Sequence, residues 1–94
     1  MLRQFVGLEA IRLRDASGKP ERIRREYLAD LGTRLDAIVP TFVTIDVTSL
    51  RDLATELTEQ RLRRLSSNEL EALWLKVRDL LDHFCSMYRS RPAP

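Results

Sequence analysis

The chain has 94 residues and a mass of 10.9 kDa, with 44% apolar, 32% charged and 6% aromatic side chains. That length makes one domain with an ordinary apolar share, which excludes wholesale disorder and a catalytic domain joined to a second module. Sixteen basic against fourteen acidic residues leave +2, too even for a nucleic-acid-binding arm or an acidic tail; the one cysteine, Cys85, excludes an intrachain disulfide framework and fits a reducing cytoplasm.

Sixteen leucines dominate the apolar set, whereas Phe, Tyr and Trp together number six. Leucine keeps its rotamer freedom on a helix and aromatic residues lose some, so this balance favours helices. Gly and Pro total seven, few for an all-β chain with many turns. The expected fold is all-α, a small bundle of three to four helices in a single domain over 1–89, with a disordered tail at 90–94. Fourteen of the sixteen basic residues are arginine, which reads as the mark of a G+C-rich bacterial genome. No stretch reaches the roughly eighteen uncharged apolar residues of a membrane span. Gly7, Glu9 and Arg12 interrupt the apolar core that a secretory leader requires. A cytoplasmic protein is the expectation.

Residues 1–14 read two ways. Leu2, Phe5, Val6 and Leu13 share a helical face with Glu9 at its centre, whereas Ile11 and Leu13 alternate with Arg12 and Arg14 as in a strand. Helix is favoured. Residues 15–20 form a loop. Pro20 suits the first position of a helix that Pro40 stops, and Ile23, Tyr27, Leu28, Leu31, Leu35 and Ile38 lie on one arc of it. Gly32 inside that helix costs about 1 kcal/mol relative to alanine; the close approach of a neighbouring helix would explain it, and so would no packing reason at all.

Residues 41–47 are the only β-branched run, expected as an extended connector with Phe42 or Val43 plugging the core, or else pairing with 9–14 as a ribbon. A single helix is expected next, capped by Thr48 or Ser49 and running to Leu65, with Leu50, Leu53, Ala54, Leu57 and Leu65 on one face. Arg61, Arg63 and Arg64 complement the dipole of its last turns. The last helix carries the strongest signals. Ser66-Ser67-Asn68-Glu69 is a capping box, and nine apolar residues from Leu70 to Tyr88 fall within an arc of about 140°. The junction is only a residue or two, so these last two helices should form an antiparallel hairpin.

The nine-residue stripe is wider than two neighbouring helices need to cover, and its Trp, Phe, Met and Tyr are enriched at interfaces. The leading expectation is therefore a non-enzymatic interaction or regulatory protein. It would self-associate as a homodimer, or bind a helical partner, through Trp74, Val77, Leu81, Phe84 and Tyr88. Two arginine clusters support an alternative, a nucleic-acid-binding regulator using Arg22, Arg24, Arg25, Arg61, Arg63 and Arg64 on phosphates. A helix-turn-helix fit on Leu50–Leu57 fails, since Thr58 stands where glycine is favoured and Glu59 and Arg64 where apolar residues belong.

Arg78-Asp79-Leu80-Leu81-Asp82-His83 has the R-x4-H spacing and resembles the signature of the HEPN ribonucleases. The resemblance spans six residues and implies a small helical, dimeric ribonuclease in which Arg78 and His83 act together on an RNA phosphodiester. Cys85 stands where one branch of that family has tyrosine. On one straight helix the two side chains diverge by about 140°, so a shared site would need a kink or a second subunit. The simpler reading pairs Arg78 with Asp82 at i,i+4. One His and one Cys preclude a His/Cys zinc site within one subunit, and no glycine-rich phosphate loop exists, so no metal, cofactor or small-molecule substrate is expected.

Overall fold

The computed structural model describes residues 2–38 and 47–90, with side chains over 4–38 and 49–87. Among the described residues five helices follow one another: α1 (Leu2–Ala16), α2 (Glu21–Ile38), α3 (Val47–Glu56), α4 (Glu59–Arg64) and α5 (Ser67–Ser90). No strand occurs among the described residues, and the ribbon with 9–14 does not form because that stretch is helical. The expected connector lies outside the described residues except for Val47, which opens α3 and leaves Thr48 and Ser49 inside its first turn rather than capping it. Ser90, placed in the tail by sequence, still belongs to α5; residues 91–94 are outside the described part.

α1 and α2 form an antiparallel hairpin whose turn is closed by the Lys19 amide donating to Ala16 O and the Ser17 hydroxyl donating to Leu13 O. Cross-helix pairs then order the rest. Glu21, Arg24 and Tyr27 of α2 meet Ser67, Glu71 and Trp74 of α5 in turn, so these two helices run parallel. Glu56 of α3 meets Lys76, and α3 runs back antiparallel along another side of α5. The core lies among all five helices, with Val6 and Leu13, Leu28, Leu31 and Leu35, Leu50, Leu53 and Leu57, Leu62, and Leu70, Val77, Leu81 and Phe84.

The single helix expected over 48–65 is broken at Leu57–Thr58. Its geometry explains why: Leu57 and Leu62, five apart, would diverge by about 140° on one straight helix, yet both are buried. The break turns both inward. Thr58 is extended (φ −69°, ψ 145°) and its side chain accepts from the Arg61 amide, capping α4, with Glu59 in the first turn. The same bend seats Leu57 on Gly32. A β-carbon at Gly32 would lie 2.6 Å from Leu57 O and 2.9 Å from Leu57 Cβ, so only glycine permits this approach of α2 and α3.

The capping box expected at Ser66–Glu69 forms. The Ser66 amide donates to Glu69 Oε1 at 2.9 Å and the Glu69 amide to Ser66 Oγ at 3.2 Å, the reciprocal capping box that starts α5. These bonds hold the Glu69 carboxyl below its ordinary pKa, the backbone bond from Ser66 contributing most. Arg25 adds a clamp that sequence did not suggest: its guanidinium donates to the carbonyls of Leu62 and Leu65, satisfying the C-terminal end of α4.

Candidate functional site

Among the described residues the buried charged side chain is Glu9, placed by α1 between α1 and α2 with its side chain 1% exposed. Arg34 of α2 grips it with two bonds, Nε to Oε2 and Nη2 to Oε1, each 3.0 Å. Arg12 Nη1 reaches Oε1 at 3.3 Å. The Tyr27 hydroxyl donates to Glu9 O, and the Arg34 guanidinium lies over the Tyr27 ring at 5.8 Å. Burial, and then the nearby Glu9 charge, push the Tyr27 phenol well above its ordinary pKa. Tyr27 meets Trp74 edge to face, and the Trp74 indole N–H donates to Ser17 Oγ at 3.2 Å. Every polar tip in this chain of contacts has a partner, so the network ties α1, α2 and α5 together and presents no free reacting group.

Trp74, Val77, Leu81 and Phe84, expected at an interface, are at most 5% exposed within a single chain. α1 covers them: it packs along α5, antiparallel, from Ser17 at Trp74. The stripe is wider than α2 and α3 alone would cover, and α1 accounts for the extra width. A partner has no access to these four side chains in the folded chain. Tyr88 lies outside the described side chains.

The two arginine clusters do come together, since Arg22 and Arg25 of α2 and Arg63 of α4 line one groove of about 460 Å³. Glu21, Glu26 and Glu59 line it too, so three cations face three anions. Arg25 bonds Glu21 at 2.6 Å, Arg63 bonds Glu59 at 2.6 Å, and Arg24 bonds Glu71 while lying over the Trp74 ring at 5.8 Å. Bonds from Arg25 first, and then from Ser67, hold the Glu21 carboxyl below its ordinary pKa. Arg22, Arg61 and Arg64 carry no ion pair among the described residues, but on α4 Arg61 and Arg64 turn away from the groove that Arg63 lines. Half of the six cluster arginines are thus paired locally, and the groove they share balances three cations with three anions.

Arg78 and His83 are both exposed and are not brought together. Arg78 bonds its neighbour Asp79 at 3.2 Å, not Asp82 as expected, and His83 lies edge-on to Phe84 with ring centroids 5.7 Å apart. His83 instead lines a separate cleft. No family model, curated protein or solved structure matches the chain.

That cleft, of about 670 Å³, separates α3 from α5. Leu53, Ala72, Leu75 and Leu80 give it an apolar floor, and Asp52, Glu56, Asp79 and Lys76 ring it, an excess of two negative charges. The Lys76 ammonium donates to both Glu56 oxygens at 2.8–2.9 Å and ties the walls together at one end. Ser49 and His83 lie toward the other end. The buried face of α5 positions all of this: once Leu70, Trp74, Val77 and Leu81 point inward, Leu75, Asp79 and His83 must flank the opening. Leu75 is 45% exposed, one of three large exposed apolar residues among the described ones, with Leu8 and Ile11. Sequence reasoning missed this cleft, although Leu75 did signal it by falling beside the apolar stripe among polar residues.

Proposed function

We propose that this protein is a non-enzymatic interaction module that docks a basic amphipathic helix in the cleft between α3 and α5. The observation carrying the reading is the half-exposed Leu75 on an apolar floor inside an acidic rim. A helix laying an apolar ridge into a groove recognises its target through side chains spaced i, i+3 or i+4. Arginines beside that ridge would meet Asp52 and Asp79, and the complementary charge would set orientation and rate of encounter more than affinity. The C-terminal helix remains the binding element, through the flank beside its buried face.

The test is a titration of the full chain, watched by backbone amide NMR, with a synthetic helical peptide carrying Leu and Ile at i, i+3 between arginines. Shift changes should cluster over 49–56 and 72–83 and vanish in a Leu75→Asp variant. Changes centred on the groove between α2 and α4, or no response at sub-millimolar peptide, would overturn the assignment.

A further inference from the structure

The remaining large exposed apolar residues supply the occupant. Leu8 and Ile11 are 48% and 57% exposed on the outer side of α1, three positions apart, so they form a short ridge. Arg12, 46% exposed, shares the inward-turned Glu9 with Arg34, and Arg14 stands near Asp15, so three guanidiniums against two carboxylates leave the ridge a net positive surround. This is the ridge that the cleft calls for: two aliphatic knobs at helical spacing with a cationic surround, facing Leu75 and an acidic rim. Gly7 adds a second sign. One turn before Ile11, its missing β-carbon would meet nothing within 4 Å, so the close packing that explains Gly32 is absent here. A bare backbone beside the ridge leaves room for a cleft wall to come close.

We infer that the cleft of one copy takes the Leu8–Ile11 ridge of a second copy of this chain. The inference rests on the docking reading above and names its partner. It also fixes the geometry of assembly. Around α5 the cleft is centred about 150° from the buried face that α1 covers, and the ridge lies on the outer side of α1. Ridge and cleft therefore point away from each other on one molecule. Two copies cannot exchange ridges around a two-fold axis, and the contact runs head to tail.

The experiment is sedimentation velocity of the full chain from micromolar to sub-millimolar concentration. The mean mass should rise through the dimer and beyond, less steeply at high salt. Ile11→Asp and Leu75→Asp should each weaken assembly by about tenfold or more when alone. Mixed together, they should form a one-to-one complex that grows no further, because one variant keeps its cleft and the other its ridge. Circular dichroism confirms folding, and Leu8→Lys with Asp79→Lys serves as a second pair if either variant unfolds. A wild-type chain that stays monomeric overturns the inference. If the synthetic helix still binds at Leu75 in that case, the docking reading stands without self-assembly; if it does not, both fall. Assembly abolished by Ile11→Asp but untouched by Leu75→Asp would instead mean ridge-to-ridge pairing and also refutes the proposal.

Discussion

An Arg34→Met substitution removes both 3.0 Å bonds that grip the Glu9 carboxylate and leaves Arg12, at 3.3 Å, as its remaining cation. Deleting one partner of a fully buried ion pair costs about 3–5 kcal/mol, because the other charge is left without compensation. Here the carboxylate is buried but the Arg34 side chain is 33% exposed, so water already screens part of the attraction. With that screening and the surviving Arg12 contact, the expected loss is about 2–3 kcal/mol. Replacing both partners, Glu9→Leu with Arg34→Met, should bring stability back to within about 1 kcal/mol of the parent, since an apolar pair needs no desolvation. Urea unfolding followed by circular dichroism gives each free energy by linear extrapolation. The reasoning fails if Arg34→Met lies within about 0.5 kcal/mol of wild type, or if the double variant loses the simple sum of the two single losses.

The two helical glycines should respond in opposite directions. Gly7→Ala meets open space and should stabilise the monomer by about 0.5–1 kcal/mol, while Gly32→Ala forces a methyl against Leu57 O and Cβ and should destabilise it; thermal melts at low concentration compare them. Acid should weaken the fold through Glu21 and Glu69. Their carboxyls have folded pKa values below the ordinary 4.5, so their stabilisation is present above that pH and is lost as pH falls through the folded values. Melting temperature followed from neutral pH downward should drop there, with a smaller drop in Glu69→Gln; an unchanged acid profile in that variant would refute the assignment.

The all-α class, the α2 span and the capping box at Ser66 and Glu69 are readable because each depends on local chemistry, periodicity and caps; Gly32 marks a place for a close approach, but its partner Leu57 is 25 residues away and only the fold decides it. The break at Thr58 is not readable, although Leu57 and Leu62 five apart already imply it, because the arginines of 61–64 and the leucine spacing suit a continuous helix equally well. The stripe on α5 reads as outward-facing when α1, although favoured as a helix, is left out of the helices that cover it. Glu9 interrupts the apolar face of α1. Its partner Arg34 is 25 residues away, and a pairing of that range leaves no local pattern. The cleft has the same origin, since its two walls come from α3 and α5 and exist only once both are packed.

Glu9 also decides where α1 can stop. Burial of Val6 and Leu13 is non-directional, so it does not by itself forbid a slide of α1 along α2 and α5 by one helical turn, about 5.4 Å. The carboxylate does not tolerate it. Moved by a turn, it would leave the Arg34 fork and enter the leucines of α2 with no hydrogen-bond donor to receive it. The buried charge therefore works as a register key. α1 is either seated in one alignment or released altogether, so its amides should exchange with solvent through one shared opening and not by gradual slippage along the bundle.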